Sequence, residues 1–187
     1  MASPVTINAD YWSFANNADP QAKAENSNLF LGGFIAKTIT HTCVRFSLDS
    51  LPSGVTVTQV RFIVEIAYVG GVAGLWDIHG YDTNGQTDPA LDDAATQYTR
   101  DISGNLYKND DTTWRATGST WITLGGNVCT DVQNAKSAVN RLTISTHEEG
   151  DNDGPPEATA TATKVQLEIT YTTGGIQPML TLLGVGV

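Results

Sequence analysis

The stretch VTQVRFIVEIAYVG, residues 57–70, alternates apolar and polar side chains almost without fault. Val60, Phe62, Val64, Ile66 and Tyr68 fall on one face. Gln59, Arg61, Glu65 and Ala67 fall on the other, with Ile63 the exception. A period of two is the signature of a half-buried strand. The same pattern recurs in THTCVRFSL, where Val44, Phe46 and Leu48 oppose Cys43, Arg45 and Ser47. It recurs again in TKVQLEITY, where Val165, Leu167, Ile169 and Tyr171 oppose Lys164, Gln166, Glu168 and Thr170. RLTIST alternates as well, and NLFLGG and STWITL read as shorter strands.

Turn chemistry separates these runs: Leu51-Pro52-Ser53-Gly54, Asn84-Gly85, Gly125-Gly126-Asn127 and GDNDGPP at 150–156. Two short helices are expected as connectors. TDVQNAKSAV carries Val132, Ala135 and Val139 at helical spacing behind an Asp131 cap, and DPALDDAA offers Asp88 as cap with Pro89 in the first turn. Many short strands with one polar face predict an all-β fold, two antiparallel sheets packed face to face as a β-sandwich with short connecting helices. The expected inner face comprises Val44, Phe46, Leu48, Val60, Phe62, Val64, Ile66, Leu142, Ile144, Val165, Leu167, Ile169 and Tyr171. With 187 residues and no composition break, one domain over 1–173 holds this core.

The balance of charge narrows the partners. Twenty acidic residues face ten basic ones, a net charge of −10, and the basic residues stand singly. Phosphate neutralisation needs clustered Lys and Arg, so neither nucleic acid nor an anionic membrane is an expected partner. The opening MASPVTINADYW lacks the basic and apolar regions of a secretory leader, and no run is long enough for a membrane helix. Cys43 and Cys129 read as two free thiols, and spacing alone does not decide whether they bond.

Two blocks resemble DNRLRE-type domains. Arg45-Phe46-Ser47-Leu48-Asp49-Ser50-Leu51-Pro52-Ser53-Gly54 through Val57 is similar to that family's opening half. VCTDVQNA and KVQLEITYTT are similar to its closing segments, although the namesake six letters are reduced to Asn140-Arg141-Leu142. The likeness spans most of residues 5–173. It implies a jelly-roll sandwich like carbohydrate-binding modules, of a kind used both in secreted polysaccharide-active proteins and in phage particles. The family likeness does not choose between these uses.

Candidate chemistry is sparse. His41, His79 and His147 include no H-E-x-x-H pair, and no G-x-S-x-G elbow occurs, so the histidines read as solvated or structural. The acidic pairs Asp92-Asp93, Asp110-Asp111 and Glu148-Glu149 read as loop charges rather than a glycosidase pair. In HEEGDNDGPPE, Asp151 and Asp153 are the candidate oxygen ligands for calcium, against the simpler reading of an acidic turn. Trp76, Tyr81, Tyr107 and Trp114 are the aromatics placed to stack on a glycan, against the alternative that Trp114 and Trp121 plug the sandwich ends.

The departure from the family pattern is the stretch 174–187, GGIQPMLTLLGVGV, which has no charged side chain. Ile176, Met179, Leu180, Leu182, Leu183 and Val185 put apolar groups on both faces of an extended ribbon, which asks for cover on both sides. The expectation is an assembly element. The chain then reads as a non-enzymatic virion structural protein: a phage capsid decoration (cement) protein or a tail or fibre component. It would be a homo-oligomer, trimer or dimer, bound to a capsid or other virion protein. The alternative is an extracellular carbohydrate-binding module of a polysaccharide-active protein.

Overall fold

A computed structural model describes residues 2–16, 23–25, 29–35, 38–71, 75–148 and 158–173. The strands are β1 (Ala2–Asn8), β2 (Tyr11–Asn16), β3 (Lys23–Glu25), β4 (Leu29–Ile35), β5 (Thr38–Ser47), β6 (Val55–Gly71), β7 (Trp76–Gly80), β8 (Leu106–Asp111), β9 (Gly118–Leu124), β10 (Arg141–Glu148) and β11 (Ala158–Thr173). Two α-helices, α1 (Ala94–Arg100) and α2 (Val128–Ala138), connect them. Single 3-10 turns occupy Pro89–Leu91 and Thr113–Arg115.

All the strand pairings are antiparallel, and the strands form a β-sandwich, the class the alternation demanded. One sheet runs β8-β7-β10-β5 and is extended by β2 and β3; the other runs β9-β6-β11, with β1 beside β11. β4 pairs with both β11 and β5, so the sheets share a hydrogen-bonded seam. From β5 onward, each connection except β7–β8 crosses from one sheet to the other.

The core lies between the sheets because alternate residues of both point there. Phe46 faces Leu142 and Val44 faces Ile144 across β5–β10. Opposite them, Val60, Phe62 and Val64 face Ile169, Leu167 and Val165 across β6–β11. The Phe46 and Phe62 rings meet edge-on at 6.2 Å and bridge the gap. Every residue of the expected inner face is buried except Tyr171, which is half-buried against the cluster. Tyr68, assigned by alternation to the same face as Ile66, is 58% exposed. Register shifts between Thr161 and Lys164 on β11 break the pairing beside it.

The Leu51–Gly54 turn forms as read, with Gly54 at φ +70. α2 begins earlier than expected, at Val128 behind Asn127, so Asp131 lies inside the helix rather than capping it. Val128, Asp131, Val132 and Ala135 form its buried stripe. Asp131 Oδ2 accepts hydrogen bonds from Tyr107 Oη and Asn105 Nδ2, both at 2.9 Å, and ties the helix to β8. Asp88 does cap the Pro89 turn. A second cap follows at Asp93, whose Oδ1 accepts the Thr96 N–H at 2.8 Å and opens α1.

Candidate functional site: a histidine cluster beneath the 81–105 cover

The outward face of the β7-β10-β5-β2 sheet is where an alternating sequence places its polar residues. Here that face is covered. The register lines up Ala15, His41, His147 and Asp77 in one cross-strand row, and Ser13, Cys43, Ser145 and His79 in the next. Directly opposed residues sit close enough to interact, so both rows are contiguous. Residues 81–105, including α1, fold over them. Ser13, His41, Cys43, Ser145, Gln97 and Asp101 are all buried.

The cover is pinned through three carbonyls spaced three residues apart. Tyr98 O accepts from His41 Nδ1 at 3.0 Å, Asp101 O from Ser145 Oγ, and Gly104 O from His79 Nδ1 at 3.3 Å. Tyr98 and Asp101 belong to the C-terminal end of α1, whose carbonyls have no partner within the helix, and Gly104 follows in the loop; side-chain donors from the sheet satisfy all three. Because a carbonyl only accepts, the proton of His41 and of His79 sits on Nδ1, which leaves each Nε2 with a lone pair. Gln97 completes the seal. Its Oε1 accepts from Ser13 Oγ at 2.7 Å and its Nε2 reaches Asp101 Oδ2 at 3.5 Å, while Ser13 Oγ also lies 3.1 Å from Cys43 Sγ. The close fit explains Gly104: a Cβ there would stand 1.6 Å from Gly80 O and 1.9 Å from Asp82 O.

The rings form a chain. Tyr98 stacks on His41 at 4.0 Å, and His147 lies 5.2 Å from both His41 and His79. Asp77 joins at the far end, with Oδ2 3.9 Å from His79 Nε2. One ligand atom from each of Asp77, His79 and His147 falls within 4.8 Å of the others. His79 Nε2 and His147 Nδ1 are buried with no hydrogen-bond partner. Burial, and then the charge of neighbouring His147, depress His41 to about 4. Burial and His79 bring His147 to about 4, against the pull of Asp77. Both rings are therefore neutral at pH 7. Burial pushes the Asp101 carboxyl well above the usual carboxylate range. It raises both thiols too, and Cys43 and Cys129 are free.

The rim is more conventional. Arg45 donates to Asp10 Oδ1 at 3.1 Å and to Asp88 Oδ1 at 2.8 Å. Burial alone would raise Asp88, but the Ala90 N–H and the Arg45 guanidinium hold it below the ordinary carboxylate value. In the groove between α2 and the Leu51–Val55 turn, about 290 Å³, Gln133 accepts the Val57 N–H and Lys136 donates to Leu48 O.

Several readings from the sequence are corrected here. Trp76, Tyr81, Tyr107 and Trp114 do not present faces for a glycan: they are 0%, 0%, 3% and 0% exposed. Trp76 and Trp114 pack edge-on at 5.8 Å in the core, and Tyr81 hydrogen-bonds to Asp92 Oδ2. Large rings on alternating strands and tight turns serve burial first. Trp121 does not plug the sandwich; it is 63% exposed on β9, opposite Ile63. Of the two readings left open for the histidines, solvated or structural, the structure favours the second: the three rings lie in one largely buried cluster. Asp110-Asp111 is strand rather than loop, and Asp111 is buried, accepting the Thr113 N–H at 2.7 Å. Asp92 is likewise inward, 3.3 Å from Arg100. Asp151 and Asp153, and Ile176, Met179, Leu180, Leu182, Leu183 and Val185, lie outside the described residues. A clue to the cluster was present in Asp77-x-His79 and His41-x-Cys43, each on one strand face. Only the strand register brings the two together. The chain matches no protein-family model and no curated protein.

Proposed function

We propose that this chain is a non-enzymatic structural protein of a phage virion, a capsid decoration (cement) protein or a tail or fibre component. In this reading it is a homo-oligomer, trimer or dimer, that docks on a capsid or other virion protein through residues 174–187. The observation that carries the reading is the division of apolar residues. The described core cluster draws on residues from Val5 to Tyr171, and β11, its last strand, ends at Thr173. The following stretch is rich in Leu, Met and Ile and carries no charge. Such a ribbon suits strand addition to a neighbouring chain. Deleting 176–187 is expected to leave the sandwich folded and to abolish oligomerisation or particle binding, read by sedimentation and particle pull-down. Unchanged assembly would sink the proposal.

A second reading has one observation of its own. Trp121 offers an exposed indole on the outer face of β6–β9, next to Ile63, a flat platform of the sort on which sugars stack. A carbohydrate-binding module would use that face instead of the four buried rings. Polysaccharide retention lost in Trp121→Ala would favour it.

A further inference from the structure

We infer that Asp77, His79 and His147 form a binding site for one divalent transition-metal ion of the zinc class, stapling β7 to β10. The inference is independent of the virion reading. Three observations converge. First, the donor set is two imidazoles and a carboxylate, the borderline-soft combination that selects first-row transition metals over calcium or magnesium. Second, the backbone prepares it. Asp77 and His79 are two apart on one strand and so share a face, and the register sets His147 directly opposite Asp77. Third, the nitrogens are available. His79 Nε2 and His147 Nδ1 are buried without partners, a costly arrangement unless something occupies the space between them.

The outer contacts match a metal site. His79 gives its Nδ1–H to Gly104 O, which fixes the tautomer and turns Nε2 toward Asp77. Metal-binding histidines characteristically anchor their second nitrogen this way. The donors spread to 4.8 Å, wider than the roughly 3.3 Å edge of a tetrahedron with 2.0–2.1 Å bonds. Side-chain rotation inward by a few tenths of an ångström to an ångström each closes that gap. His41, stacked on Tyr98 and tilted against His147, walls the site, and a water would complete the coordination.

The test uses the full chain without a histidine tag, stripped with chelator and titrated with Zn²⁺ alone. One ion per chain by native mass spectrometry and calorimetry is expected, with a rise in Tm that Ca²⁺ does not reproduce. Loss of an outer-sphere partner already costs about 10- to 100-fold in affinity, so His79→Gln and His147→Ala should each lower affinity by at least about 100-fold. Asp10→Asn, a rim carboxylate, should leave it unchanged. Circular dichroism checks that the variants fold. A reading that needs no variant is the wild type with Co²⁺, which should shift the ring protons of His79 and His147 together. Substoichiometric or absent uptake, binding that survives both histidine variants, or no paired shift would each overturn the inference.

Discussion

The inner face of the β7-β10-β5 sheet is buried and its outer face is covered, with His79 and His147 only partly buried, yet the two are built from opposite materials. The inner face is Val44, Phe46, Ile78, Leu142 and Ile144, held by apolar contact with the facing sheet. The outer face is His41, Cys43, Ser145, His147 and His79, held by directed hydrogen bonds to the carbonyls of Tyr98, Asp101 and Gly104. Apolar burial is non-directional and scales with area, so the inner face tolerates small rearrangement. A buried polar layer depends on each partner being in place, because an unmatched group bears its full desolvation cost. The inner face should therefore decide whether the chain folds. The outer face should decide how its stability answers to pH, to metal and to the fit of one loop.

The largest test is on the inner face. Phe62→Ala removes a ring that touches Phe46 and Trp114, and should cost about 3–5 kcal/mol in denaturant unfolding. A loss below about half a kilocalorie would contradict the packing described. The outer face should answer to acid. His41 and His147 have folded values of about 4 against an ordinary 6.5, so they are harder to protonate folded than unfolded. Their contribution is complete above about pH 6.5 and is lost as pH falls toward 4, on the order of a few kcal/mol. His41→Gln or His147→Gln should flatten that slope, and an unchanged pH profile in both would refute the assignment.

Gly104→Ala sets a Cβ against two backbone oxygens and should cost about 1–3 kcal/mol. Hydrogen exchange should show the loosening over 81–105 and little change in β6 or β11. Uniform loosening would mean that the two faces are not separable. The smallest effect concerns Asp101. Its folded value lies well above 3.8, so its contribution is complete below that value and is lost as pH rises through the folded value. Asp101→Asn stays neutral throughout. Stability at pH 7 should be equal or higher, by up to about 1 kcal/mol, with the gap widening as pH rises. A marked loss would show that the carboxylate itself is needed.

From the amino-acid order the helices were placed only roughly: Asp131 lies inside α2, and Asp93 rather than Asp88 opens α1. Period-two alternation and Leu-Pro-x-Gly punctuation, by contrast, were enough to read the sandwich and its inner face. Those are local properties: where a strand is half-buried, the side that is apolar is the side that packs. The end of that logic is visible at Tyr68, where a register break in the neighbouring strand leaves an apolar residue in solvent. The same logic left the outer face open. Alternation puts His41, Cys43, Ser145 and His147 on the side away from the core, and the histidines stood between a solvated and a structural role. Whether a polar face meets water or a second layer depends on where residues 81–105 lie, and nothing in their composition states it. The four aromatics failed for the related reason that a ring near a loop looks the same in sequence whether it points inward or out. Sequence alone determined the strands and the inner packing, because each follows from residues within one turn or one pleat. The site needed the tertiary structure: Asp77, His79 and His147 meet only through the pairing of β7 with β10, and register between distant strands is set by the whole sheet at once.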